Sequence, residues 1–87
     1  MSVIISGATV LTDSGEQHLD VRIDSAVIAE MSATIKPSSD DVVLNAQGCH
    51  VLPGFVDLHT HLREPGKEDS ETIETGSRAG AKGGYTA

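Results

Sequence analysis

The chain has 87 residues, enough for one small domain but too few for a complete barrel enzyme. Its 13 acidic side chains outnumber 6 Lys and Arg, and the formal net charge of -7 repels both nucleic-acid phosphates and anionic lipid. The composition therefore argues against a nucleic-acid partner and against a membrane partner.

The single cysteine and the first residues bear on the cellular compartment. Cys49 has no second cysteine to pair with, which excludes an internal disulfide and fits a reducing cytoplasm. We expect its side chain to be a small buried hydrophobe. Residues 1–7 lack the basic region and long apolar run of a signal peptide, and no stretch is long enough to span a bilayer. These features predict a cytoplasmic protein.

The first half of the chain consists of short β-branched runs separated by turn residues, a pattern typical of a small antiparallel sheet or sandwich. The predicted strands cover residues 3–6, 8–11, 19–23, 26–31, 42–45 and 50–52. Residues 19–23 alternate between apolar and charged, so Asp20 and Arg22 are expected to face solvent without evident chemistry.

Other polar residues of this half are expected to be unremarkable. His18 and His50 stand apart from each other and from any carboxylate at ligand spacing, which favours turn or edge positions. Asp40 and Asp41 are expected in a solvated loop.

Residues 53–66 organise the rest of the chain. A Pro-Gly pair precedes this stretch and another ends it, so we expect a short, sharply bounded strand between them. Because side chains alternate along a strand, one face would carry chemistry and the other would pack. The chemical face comprises Asp57, His59, His61 and Arg63; the packing face comprises Val56, Leu58, Thr60 and Leu62.

The spacing of His59 and His61 suits metal binding, since two imidazoles two residues apart on a strand can reach one cation. Arg63 lies where a substrate anion could reach it, although a surface pairing with Glu64 or Glu68 is an alternative. Asp57 lies on the same face, two residues before His59. It is expected either to support the metal ligands or to be a hydrogen-bonded carboxylate of the core.

A helix is expected from about Ser70 to Lys82, capped by Asp69 or Ser70 and ended by glycines at 83 and 84. Residues 85–87 then begin another β-prone segment. A strand, a helix and a strand imply a parallel neighbour and a larger sheet. We therefore expect the front of a longer protein, with the helix covering the packing face of the strand.

Residues 53–66, PGFVDLHTHLREPG, resemble the signature of the amidohydrolase superfamily, and within it most closely the dihydroorotases of the longer bacterial type. The trailing LREPG of residues 62–66 narrows the resemblance to that family. Residues 71–79 and 83–86 are similar to the family's first barrel helix and second strand. Residues 1–52 look like its amino-terminal β-sandwich.

The resemblance implies an α/β fold: a TIM-type (β/α)8 barrel preceded by a β-sandwich, with residues 53–87 forming the first βα unit of the barrel. It also implies a zinc enzyme of pyrimidine biosynthesis that interconverts N-carbamoyl-L-aspartate and L-dihydroorotate. His59 and His61 would bind one of one or two zinc ions, and Arg63 the substrate carboxylate. The general-base aspartate is expected beyond Ala87, so the chain alone would be inactive.

Three alternatives stay open at this point. The first is a related hydrolase acting on a hydantoin or on allantoin. The second is a non-catalytic dihydroorotase-like scaffold for a transcarbamoylase. A homo-oligomer is compatible with the sequence under either reading. The third is a complete small binding module that self-associates through its apolar strand.

Overall fold

The computed structural model describes residues 2–87 and divides the chain into two compact units, Met1–Leu52 and Pro53–Ala87. The first is built from strands and the second contains the helix, so the α/β class expected from the sequence is observed.

The first unit forms one five-stranded sheet. Its strands are β1 (Val3–Thr12), β2 (Gly15–Asp24), β3 (Val27–Ser32), β4 (Val42–Asn45) and β5 (His50–Val51). They follow the order β3-β2-β1-β4, and β5 also pairs with β1. Among residues 2–52 the structure contains this one sheet, so the β-sandwich stays a prediction.

The sheet is mixed, and the prediction of an antiparallel sheet is correct only for the β1-β2 and β2-β3 pairs. Both β4 and β5 run parallel to β1, with Val3 opposite Val42 and Thr9 opposite His50. The connection over residues 33–41 carries the chain back to the start of β1, because a parallel neighbour cannot follow a tight hairpin.

A bulge replaces the predicted break in β1. Gly7 has φ +79° and lies at the register shift between Ile5 and Ala8. Glycine adopts this left-handed conformation without a steric penalty, so one extra residue fits into a continuous strand. The sequence correctly marked Gly7 as special, but predicted two strands where there is one.

Asp20 is buried, contrary to the expectation that it faces solvent. Its side chain accepts hydrogen bonds from the backbone N–H groups of Gly7 and Ile35, both at 2.9 Å. The bulge leaves the Gly7 donor outside the strand ladder, and the N–H of the buried Ile35 also needs an acceptor. The N–H of Ile35, and after it that of Gly7, hold the pKa of Asp20 below its ordinary value, against the opposing effect of burial.

Asp41 is also not in a solvated loop, since only 5% of its side chain is exposed. It accepts from the N–H of Ser38 at 2.8 Å, the hydroxyl of Ser2 at 2.8 Å and Nη1 of Arg22 at 3.0 Å. In that order, these three donors hold its pKa well below the usual range. Arg22 is therefore also bound to protein groups, contrary to the expectation that it faces solvent. Its Nε lies 3.7 Å from Oε1 of Glu30. Asp40 is exposed, as expected.

The expected burial of Cys49 is wrong, because the thiol is exposed. Its backbone closes a turn onto Ala46 and accepts from the N–H of Thr9 at 3.0 Å, which places the residue at the surface end of β5. His18 and His50 are exposed strand residues. The isolation expected for His50 is wrong, since its Nε2 lies 3.8 Å from Oε1 of Glu16.

The second unit contains helix α1 (Ile73–Lys82), which begins three residues later than predicted and ends at Gly83 as predicted. Its N-cap is Thr72, not Asp69 or Ser70. The side chains of Thr72 and Thr75 form a reciprocal capping box. Residues 64–70 instead form consecutive turns, in which Lys67 donates to the carbonyl of Arg63 at 2.7 Å.

The predicted parallel neighbour is present at the start of the organising segment. Phe55 forms a parallel bridge with Tyr85, and the N–H of Asp57 donates to the carbonyl of Ala87 at 2.9 Å. Beyond residue 57 the segment bends and has no ladder partner among the described residues. The prediction of a regular strand through Arg63 is therefore wrong, because those backbone groups have no neighbouring strand to bind.

The helix covers less of the packing face than predicted. Leu62 is half-buried beside Gly76, whereas Leu58 is 94% and Val56 60% exposed. Of residues 2–87, none belong to a helix of the length and apolarity needed to cross a membrane.

Candidate metal and substrate site

The bend that precedes the two histidines is made by Asp57. Its Oδ1 accepts a hydrogen bond from the N–H of His59 at 3.0 Å, a local side-chain-to-backbone turn that competes with extended structure. The chain bends at residues 58 and 59 as a result. Asp57 therefore contacts the histidine backbone rather than either imidazole, and its side chain is exposed.

The two imidazoles converge. Nε2 of His59 lies 3.0 Å from Nε2 of His61, and the ring centroids are 4.8 Å apart at 71°. If the rings are neutral, one N–H can donate to the other ring's free nitrogen. The alternation of a regular strand is not what brings them together, since the segment bends between Asp57 and Thr60.

This geometry fits two ligands of one metal ion. Two nitrogens bound tetrahedrally to zinc at roughly 2.0–2.1 Å would be about 3.4 Å apart, close to the 3.0 Å observed between the Nε2 atoms. Both rings are exposed. Across residues 2–87, no group of three or more His, Cys, Asp or Glu side chains is arranged to hold a metal ion. The described residues thus offer a pair of ligands.

Arg63 is exposed, and its guanidinium makes no hydrogen bond or ion pair within residues 2–87. The neighbouring carboxylates bind backbone groups instead. Glu64 accepts from the N–H of Ile73, and Glu68 from the N–H of Gly66, both at 2.9 Å. The N–H of Gly66, and then that of Glu68 itself, lower the pKa of Glu68. The guanidinium is therefore available to an anion.

The structure does not gather the four predicted site residues into one cavity. A groove of about 430 Å³ lies beside α1 in this unit, and its lining includes Asp57, Thr60 and Leu62. His59, His61 and Arg63 do not line it. The histidines contact each other, Asp57 supports their backbone, and Arg63 stands apart from both.

Sequence reasoning missed the contact between Glu64 and the start of α1. The only signal was an acidic side chain directly before a Pro-Gly turn on the amino-terminal side of a predicted helix, nine residues before Ile73, since an acidic group that reaches a helix start complements the helix dipole. Nothing in the spacing identified Ile73 as its partner.

The chain is similar to known proteins in both structure and sequence. A crystal structure of D-hydantoinase aligns with 75% of this chain and 14% of its own, with TM-score 0.66 and 32% identity. The dihydropyrimidinase from Brevibacillus agri aligns over the same shares, with TM-score 0.65 and 35% identity. The chain is therefore similar in structure and in sequence to these two amidohydrolases.

Within that class the sequence relatives are dihydroorotases. The model of the family described as Dihydro-orotase-like matches residues 48–87. The dihydroorotase of Staphylococcus aureus is 47% identical over 83 residues, covering 95% of this chain, and that of Thermoanaerobacter sp. is 49% identical over 87 residues, covering 99%. The resemblance to dihydroorotase that residues 53–66 indicated is thus confirmed. The chain spans 20% of the length of both relatives.

Proposed function

We propose that the full-length protein carrying this chain is a zinc-dependent dihydroorotase, which interconverts N-carbamoyl-L-aspartate and L-dihydroorotate in pyrimidine biosynthesis. The observation that carries the proposal is the 3.0 Å approach of the His59 and His61 Nε2 atoms. The unpaired guanidinium of Arg63 follows these histidines by four and two residues. Relatives named dihydroorotase at 47 and 49% identity support the choice of substrate.

Each residue has a distinct role in this proposal. His59 and His61 bind a zinc ion through Nε2, while Asp57 holds the His59 backbone in the bend that lets the rings meet. A bound zinc ion supplies Lewis acidity and lowers the pKa of a coordinated water. Arg63 binds the carboxylate that both substrates carry, since a guanidinium can make two parallel hydrogen bonds to it.

The chain by itself is proposed to be inactive. A catalytic zinc site uses three protein ligands and an open position, and residues 2–87 offer the pair His59 and His61. The remaining ligands and the general-base aspartate are therefore proposed to lie outside the described residues. With zinc added, residues 1–87 should open no dihydroorotate ring; robust turnover would contradict this part of the proposal.

A hydantoinase-type or dihydropyrimidinase-type activity is the second candidate, because the structural neighbours carry those names at 32 and 35% identity. The unpaired Arg63 favours dihydroorotate, whose ring bears a carboxylate that hydantoin and dihydrouracil lack.

A substrate panel on the full-length, zinc-loaded protein separates the two candidates. We expect turnover of L-dihydroorotate, with dihydrouracil and hydantoin turned over at least about a hundredfold more slowly, since a site built to pair a charged group rejects analogues without it. Replacing Arg63 by Met should raise the KM for dihydroorotate. It should also reduce the difference in turnover rate between dihydroorotate and the two substrates that lack a carboxylate. Faster turnover of hydantoin or dihydrouracil by the unmodified protein would favour the second candidate, and no turnover of any of the three would contradict both.

A further inference from the structure

Arg63 is flanked by two residues that are both attached to α1. Leu62 is half-buried beside Gly76, where an added Cβ would lie 2.6 Å from its Cδ2 atom. Glu64 is half-buried as well, and its Oε1 accepts the N–H of Ile73 at 2.9 Å. The residues immediately before and after the guanidinium are therefore tied to the same helix.

The contact made by Glu64 satisfies a helix donor as well as joining two parts of the loop. Ile73 is the first residue of α1, and its N–H is one of the helix donors that no intrahelical carbonyl satisfies. A carboxylate at this end also meets the positive pole of the helix dipole. Thr72 and Thr75 occupy the capping box, so Glu64 supplies an acceptor that the box does not.

The loop that follows Arg63 is closed by a second bond. The carbonyl of Arg63 accepts the N–H of Lys67 at 2.7 Å. With Leu62 packed, Glu64 anchored and the carbonyl bonded, the backbone of Arg63 is held from three directions, while its side chain stays free and exposed.

We propose that Glu64 is a positioning residue for Arg63: by binding the first N–H of α1, its carboxylate fixes the backbone from which the guanidinium reaches the substrate carboxylate. Glu64 does not touch substrate and acts through Arg63. This inference rests on the proposed function, because the ligand of Arg63 is the carboxylate of dihydroorotate.

The test compares Glu64→Ala and Glu64→Gln in the full-length protein, with Glu74→Ala as the matched control. Glu74 lies in the first turn of the same helix, is exposed, and pairs with Arg78 at 2.8 Å, so its removal changes the charge equally. The measurements are KM and kcat for dihydroorotate, and hydrogen exchange of the Ile73 and Lys67 amides.

Glu64→Ala should raise KM about tenfold with little change in kcat, the size expected when one hydrogen bond to a charged group is lost. It should also speed exchange at Ile73 and Lys67. Glu64→Gln keeps an acceptor oxygen and should restore KM to near the unmodified value, and Glu74→Ala should change neither readout. A merely structural role would reduce the active fraction and leave KM unmoved.

Three results would overturn the inference: an unchanged KM in Glu64→Ala, a loss of kcat alone, or equal defects in the Gln and Ala variants. If the unmodified protein does not turn over dihydroorotate, the proposed function fails on its own. The Lys67 amide then still decides whether Glu64 fixes the Arg63 backbone, and unchanged exchange in Glu64→Ala would refute it.

Discussion

At the scale of single residues, carboxylates make several of the hydrogen bonds that fix the local backbone of this chain. Asp57 bends the histidine segment, Glu64 binds the start of α1, and Asp20 and Asp41 join segments that are distant in sequence. Composition suggested only that an acidic chain repels anions. Which carboxylates are engaged could not be predicted, because each binds a backbone donor that exists only once the bulge, the bend or the helix has formed.

Asp20 and Asp41 predict how the first unit responds to acid. Both have folded-state pKa values below the ordinary 3.8, so the stability they contribute is present above about pH 4 and is lost as the pH falls through the folded pKa values. Denaturation followed by circular dichroism should show stability that is flat near neutral pH and declines below about pH 4.

Asp20→Asn is the variant that tests this response. It should cost about 1–3 kcal/mol at pH 7, because Gly7 and Ile35 donate to different oxygens of Asp20 and an amide keeps only one of the two, which leaves one of these N–H groups facing an NH2 group. The decline in acid should also be shallower. Asp13→Asn, which changes an exposed turn carboxylate, is the control and should alter neither quantity. Equal behaviour of the two variants would contradict the assigned role of Asp20.

At the scale of elements, local signals predicted which segments are regular but not all of their partners. β4 at Val42–Asn45 and the stop of α1 at Gly83 follow from β-branched runs and glycine punctuation. The parallel direction of β4 does not, because it depends on where residues 33–41 carry the chain. The segment after Asp57 was predicted as a strand from its alternation, yet strand geometry requires a neighbour that residues 2–87 do not provide.

The two internal glycines of α1 should behave in opposite ways. At Gly76 an added Cβ would lie 2.6 Å from Leu62 and 2.9 Å from Glu71, whereas at Gly80 nothing lies within 4 Å. Gly80→Ala should therefore stabilise the helix by about 0.5–1 kcal/mol through propensity alone. Gly76→Ala should gain less or lose stability, because the neighbouring side chains must move.

Helix content and thermal midpoint, measured by far-ultraviolet circular dichroism on the two alanine variants, check this contrast. Gly80→Ala serves as the matched control for Gly76→Ala. Equal gains at both positions would contradict the close packing of Leu62 on the helix, which is also one of the contacts that hold Arg63.

At the scale of the whole molecule, the sequence predicted the relationship better than it predicted the geometry. The motif of residues 53–66 indicated dihydroorotase, and relatives at 47 and 49% identity confirm that resemblance. The convergence of His59 and His61 was also expected, but its cause is a bend rather than strand alternation. A shared cavity for the histidines and Arg63 is not formed within residues 2–87, and the relatives are about five times as long as this chain.

The central claim is that His59 and His61 together bind the metal of a dihydroorotase. The most direct measurement is zinc content and dihydroorotate turnover of the full-length protein, compared among the unmodified form, His59→Ala, His61→Ala and the control His50→Ala, which removes an exposed histidine of the first unit. We predict that each of the first two variants loses zinc and turnover together, while His50→Ala keeps both. Full zinc content and normal turnover in His59→Ala or His61→Ala would contradict the claim.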